Sequence, residues 1–216
     1  MSGKIFFEKL KKNIQPYFEK GGSHGFDHTQ RVYNLALKLS KNKKVDLEVI
    51  KASALLHDIS RLKEDDNKIE CHAEDGVRMA EKILRKMKFP EGKIEKVKHA
   101  IKVHRHSKRL KAETIEAEIL QDADRLDALG AITIARMFST GGKINRPMYN
   151  PKVPLTSEKV SKGYYSDSTI HGFYNKILKI KPNTFNTEMA KKIAKERYKF
   201  VKEFVDRFLK EWKGEL

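Results

Sequence analysis

The chain has 216 residues with six prolines, twelve glycines and no Ser/Gly- or Pro-rich run, enough for one sizeable core and without sign of a linker between independent domains. Charged residues make up 35% of it and the net charge is +17, so its average field attracts phosphorylated substrates or nucleic acid rather than cations. A single cysteine excludes an internal disulfide, no apolar run approaches the roughly 20 residues that span a bilayer, and no stretch has the pattern of a signal peptide; the expectation is a soluble protein of the reducing cytoplasm.

In chain order, Ile5, Phe6, Leu10, Ile14 and Tyr17 recur at helical spacing and predict an amphipathic helix stopped by Gly21-Gly22-Ser23. The next helix opens near Ser23 and sets Val32, Leu35, Ala36 and Leu39 on the same side as His28, which therefore points into the core. Taken alone, such a histidine is an ordinary hydrogen-bonded core residue. Asp46 is the expected N-cap of a third helix. That helix runs through Val49, Ile50, Ala52, Ala54, Leu55 and Leu56 to His57-Asp58, where a buried carboxylate needs a cationic or hydrogen-bonding partner.

The polar stretch 60–68 reads as a loop, with Glu64 in it as a candidate proton-transfer group. His72 begins the next helix, ahead of Gly76, Met79, Ala80 and Ile83 on one stripe. Phe89-Pro90-Glu91-Gly92 breaks the chain, and the helix from Ile94 aims Val97, Ile101 and His104 inward while leaving His99 and His106 at the surface.

Thr114 to Phe138 reads as one long helix in which Asp122 shares a face with Ile115, Ile119, Leu126 and Leu129. Asp124 falls about 200° round from it, which predicts an exposed acid or one that supports the ligands from outside; Asp127 lies between those directions. The stretch 139–164, with Gly141-Gly142 and three prolines, is the one long irregular segment, a lid or a disordered connection. A short helix opens at His171 and ends before Pro182. Met189, Ile193, Phe200, Phe204, Phe208 and Trp212 then predict a last helix whose aromatic stripe closes the core. No strand-like alternation appears, so the fold class is all-α.

His28, His57-Asp58 and Asp122 come from three helices, each on or at the end of an apolar stripe. Separately, each would need its own partner in a core of aliphatic side chains; one shared cation satisfies all of them. Two imidazoles and two carboxylates suit a divalent ion such as Mn, Fe, Co, Ni, Zn or Mg, and on an octahedral ion leave two positions for water and substrate.

The order His28, then His57-Asp58, then Asp122, in a helical frame from about 23 to 138, resembles the defining motif of the HD-domain metal-dependent phosphohydrolases. The resemblance extends to a subgroup of small bacterial HD hydrolases. It covers Ser23-His24 ahead of His28-x-x-Arg31-Val32, Cys71-His72-Ala73, Ile101-x-x-His104, the run from Leu120 to Ile132 and the late His171-x-Phe173-Tyr174-x-Lys176. Gly25, where members often have an acidic residue, and the extra Gly172 depart from that pattern.

The resemblance implies a single HD-type helical domain over 1–216, with C-terminal helices over 165–213, one or two divalent ions, and hydrolysis of a phosphorylated small molecule. The substrate class it implies is a phosphoanhydride or phosphate ester of a nucleotide, some members of the subgroup cleaving nucleoside triphosphates to monophosphate and pyrophosphate. His72 and His104 are implied either as ligands of a second ion or as catalytic contacts to phosphate and leaving group. Arg31, Arg125 and Lys176 are candidates for binding phosphate, because a leaving pyrophosphate accumulates charge that cations stabilise, and Asp127 is a candidate for proton transfer. Two enzymatic alternatives use the same ligand order: a phosphodiesterase on a cyclic or oligomeric nucleotide, and a two-iron oxygenase. A non-catalytic basic module binding nucleic acid would need a recognition helix or a basic face interleaved with aromatics, and the sequence has neither.

Overall fold

The computed structural model describes residues 3–18, 25–105, 108, 110–155 and 167–216. Among them every regular element is helical, as the missing alternation predicts. The chain gathers into two compact units, Met1–Arg125 and Leu126–Leu216.

The first unit holds α1 (Gly3–Ile14), α2 (Phe26–Leu39), α3 (Leu47–Leu56), α4 (Arg61–Asp65), α5 (His72–Lys86), α6 (Glu91–Val103) and most of α7 (Ile115–Asp127). The α3 helix is its axis, packed against α1, α2 and α6, while α5 lies on α6 and α4 on α5. Its sequence explains this place: Val49, Ile50, Ala52, Ala54, Leu55 and Leu56 are buried, and from Ala52 onward the helix is buried on every side, while Leu47 in its first turn is exposed. On α1 the buried row is Phe7, Leu10 and Ile14, while Ile5 and Tyr17 are exposed, so the predicted stripe is rotated by part of a turn. The expected stop at 21–23 lies outside the described residues, and the polar stretch 60–68 contains the short helix α4.

Asp46 caps α3 as expected, its Oδ1 accepting from the backbone N–H of Glu48 (3.0 Å) and Val49 (3.4 Å). Lys93 Nζ adds a bond to each carboxylate oxygen, at 3.1 and 3.0 Å. Burial works against the Asp46 charge, but the Lys93 ammonium and the two N–H donors win and hold the carboxyl below its ordinary value. A carboxyl whose pKa is lower in the folded chain stabilises the fold above its unfolded pKa and loses that contribution as pH falls through the folded one. Asp46→Ala is therefore expected to cost about 1 kcal/mol in urea unfolding at pH 7, with the gap to the parent narrowing below about pH 4. A gap independent of pH would refute the assignment.

The second unit holds α8 (Ala131–Lys143), α9 (Thr169–Asn175), α10 (Glu188–Trp212) and 3₁₀ turns at Ile177–Lys179 and Pro182–Thr184. The predicted single helix 114–138 is in fact two. Gly130 separates them at φ 90°, ψ −162°, a conformation closed to side-chain-bearing residues, and its absent Cβ would meet Arg197 Cγ at 3.2 Å. The α8 helix then runs through Gly141-Gly142 to Lys143, so the irregular stretch starts later than the glycines suggest; its segment 156–166 lies outside the described residues. Gly141 allows α8 to approach α9, since a Cβ there would sit 2.5 Å from Thr169 Oγ1.

On α10 the fully buried row is Ala190, Ala194, Val201 and Val205. Phe204 and Phe208 pack around Phe138, with centroids 5.9 Å away in each case, but Met189, Phe200 and Trp212 are exposed. The aromatic stripe thus forms the flank of the core rather than its centre.

Candidate metal centre

His57, His72 and His104 all sit at helix ends, where backbone groups lack intrahelical partners. His57 follows α3 and His104 follows α6, so each ring can reach back to a carbonyl in the last turn behind it. His57 Nδ1 donates to Ala54 O at 2.8 Å and His104 Nδ1 to Ile101 O at 2.6 Å. With Nδ1 carrying the proton, the Nε2 lone pair of each ring faces away from its own helix, as a metal ligand requires. His28 is buried on α2, with its Nε2 3.4 Å from that of His57.

Asp58, two residues beyond the end of α3, is 4% exposed and divides its two oxygens between two donor groups. Oδ2 faces His28 Nε2 at 3.7 Å and His57 Nε2 at 3.8 Å. Oδ1 faces His72 Nε2 at 3.1 Å and His104 Nε2 at 3.5 Å, and those two nitrogens are 3.3 Å apart. Ligands about 2.1 Å from one ion lie about 3.0–3.4 Å from each other in octahedral or tetrahedral arrangements. Both groups, His28–His57–Asp58 and Asp58–His72–His104, therefore have the size and donor chemistry to hold a divalent ion.

An acid of α7 that the helical projection set apart from the ligand face also stands at these donors. Asp124 Oδ1 is 3.4 Å from His28 Nε2, and Asp122 is fully buried. The α7 helix is apolar on two sides. Ala117 and Leu120, at −7 and −4 from Asp124, are as buried as Ile119 and Leu126, at −3 and +4 from Asp122. That second row was the available signal: burial of an acid's helical face does not say which neighbour the face meets.

Burial drives the His57 imidazole down to about 4 despite the carboxylates of Asp58 and Asp124, so at neutral pH it is the neutral form that ligates metals. Desolvation also opposes charge on Asp124 and on His104. There the partner interactions win: His28 above all, with His57 and His104 behind it, holds Asp124 down at about 2, and Asp58 raises His104.

Arg31 pairs with Asp27 at 2.7 Å. Arg125 is 6% exposed; burial pushes its pKa down against the charges of Asp122 and Asp124. Asp127 is buried with Oδ2 3.0 Å from Arg136 Nη1, an ion pair of the second unit. Lys176 is exposed at the end of α9. His171 is buried, held between Ser168 Oγ (2.7 Å) and the Val153 carbonyl (3.1 Å). His99, expected at the surface, is half-buried and accepts from the Glu113 N–H at 3.1 Å, while His24 and His106 lie outside the described residues. Sequence reasoning missed Arg61 and Arg105, which flank Glu64 beside His72: Arg105 Nη1 is 3.0 Å and Arg61 Nη1 3.9 Å from its carboxylate.

The HD domain model matches residues 25–129, a span that includes all five donor residues. Across nearly the whole chain the sequence is 30% identical to the uncharacterised protein YpgQ of Bacillus subtilis, over 216 residues that cover 96% of this chain and 94% of that one. An HD-superfamily hydrolase from Bacillus thuringiensis superposes with a TM-score of 0.77 at 33% identity, covering 98% and 99% of the two chains. YpgQ has also been crystallised in complex with ADP, in a structure that matches with a TM-score of 0.71 at 24% identity over 98% and 96%. No described helix is long and apolar enough to cross a membrane. With the histidines and aspartate of its motif gathered at helix ends and its whole length matched by such relatives, the chain belongs to the HD-domain family and is one of its hydrolases.

Proposed function

We propose that this hydrolase cleaves a phosphoanhydride of a nucleotide with two divalent ions, one held by His28, His57, Asp58 and Asp124 and the other by Asp58, His72 and His104. The observation that carries the reading is the split carboxylate of Asp58, which serves three imidazole nitrogens at 3.5–3.8 Å and one at 3.1 Å across two donor groups. Asp124 is assigned to the first ion because its Oδ1 is 3.4 Å from His28 Nε2. Ions in these positions supply charge that acidifies water and neutralises phosphate oxygens. His57 and His104, fixed through their backbone carbonyl bonds, hold that chemistry in place without reorganisation.

The nucleotide part of the reading draws on the ADP bound by YpgQ and on the net charge of +17. Arg31, three residues after His28, and Arg125, next to Asp124, are the phosphate contacts it assigns in the first unit; Lys176 is the further candidate. The test is incubation of the metal-reconstituted protein with nucleoside mono-, di- and triphosphates, with phosphate and pyrophosphate detected separately. Pyrophosphate and monophosphate from a triphosphate are the expected products. Oxygen consumption, or a linear product from a cyclic nucleotide with the anhydrides untouched, would overturn the assignment.

A further inference from the structure

We propose that Glu64 is the positioning residue for His72, fixing the tautomer that turns its Nε2 lone pair toward Asp58 and His104. The reason begins with helix polarity. His57 and His104 stand at helix C-termini and orient their rings on carbonyls of the turn behind them. His72 is the first residue of α5, and a helix N-terminus presents free N–H groups but no free carbonyl. Its ring therefore needs an acceptor from elsewhere.

Glu64, on α4, is that acceptor. Its Oε2 takes the His72 backbone N–H at 2.6 Å and lies 2.8 Å from Nδ1, so a single oxygen both caps the start of α5 and receives the ring proton. Cys71, at the cap position, makes no side-chain cap bond of its own. The carboxylate is held in turn by Arg105 Nη1 at 3.0 Å on the same oxygen. With the proton on Nδ1, His72 Nε2 is free to face Asp58 Oδ1 at 3.1 Å and His104 Nε2 at 3.3 Å. This makes a carboxylate–histidine pair behind His72, the arrangement that orients a metal ligand. Arg61 Nη1 lies 3.4 Å from the same Nδ1 and 3.9 Å from Glu64 Oε1, but a guanidinium only donates, so at the shorter 2.8 Å Glu64 is the acceptor the ring proton has. Glu64 is thus engaged by the His72 N–H, the His72 ring and two arginines, and is a support for His72 rather than a proton carrier.

The inference uses the two-ion reading for its consequence, not for its geometry, and its first readout needs no metal. In the metal-free protein, ¹⁵N-detected ring spectra should show His72 protonated at Nδ1 alone in the parent. Glu64→Gln should keep that signature, because an amide oxygen still accepts from the ring, and Glu64→Ala should lose it. Titrated with Mn²⁺, Glu64→Ala should weaken one of two binding steps about 10- to 100-fold and leave the other within about 2-fold, with Glu64→Gln between parent and alanine variant. Glu64→Asp retains the charge for Arg105 but falls a methylene short of the ring, and should reproduce the alanine result even if the alanine variant does not fold. An unchanged His72 tautomer in Glu64→Asp would overturn the proposal. A parent that binds one ion would refute the two-ion reading alone, since the ring spectrum still decides the role of Glu64.

Discussion

Asp58→Asn is expected to remove bound metal from both donor groups and to lower nucleotide hydrolysis by about 10³-fold or more. The amide is isosteric, so the helical circular dichroism should hardly change, but it has one weakly donating oxygen where the carboxylate has two charged ones. Both are in use here, Oδ2 toward His28 and His57 and Oδ1 toward His72 and His104. Losing a metal's Lewis-acid contribution costs several kcal/mol of barrier, and about 4 kcal/mol corresponds to the stated rate loss. Metal content by mass spectrometry and turnover measured on the same preparation check it. Two ions retained by the asparagine variant would show that the protein's metal does not sit at Asp58.

The second large effect separates two acids on one helix. Asp124→Ala should cut metal affinity at the His28–His57–Asp58 group by about 100-fold or more while leaving thermal stability near that of the parent, because its side chain is 27% exposed and its role is to face His28. Asp122→Ala should do the opposite. Asp122 is wholly buried and its charge acts on the nearly buried guanidinium of Arg125, so its loss leaves a buried cation undercompensated and should destabilise the fold by about 3 kcal/mol. Calorimetric metal titration beside urea unfolding of both variants gives the answer. Metal loss confined to the Asp122 variant would restore that residue to the ligand set and remove Asp124 from it.

Which of these features could be read beforehand follows from the range of the interactions that set them. The α3 helix, its Asp46 cap, the inward His28 and the start of α5 at His72 were legible because each depends on residues within a turn or two: an apolar run, a capping oxygen, a period of 3.6. The position of the break in 114–138 was not, although Gly130 stood in plain view. Glycine is tolerated inside helices, and only the backbone at φ 90° with Arg197 against it makes it a stop. In α10, likewise, a regular aromatic spacing concealed that the alanines and valines between the rings form the buried row.

The sequence by itself determined an all-helical chain with a hydrolase motif whose His57-Asp58 dipeptide closes a buried helix, because periodicity and residue chemistry are local properties. It also determined that His28, His72 and His104 would be buried. The tertiary structure decided how those groups divide: that Asp58 serves both sides, that Asp124 stands beside His28, and that Glu64 reaches back from α4 to the ring of His72. The physical reason is that a helical wheel gives direction about one axis only. A ligand set depends on how several axes cross, and that is settled by packing of side chains far apart in the chain.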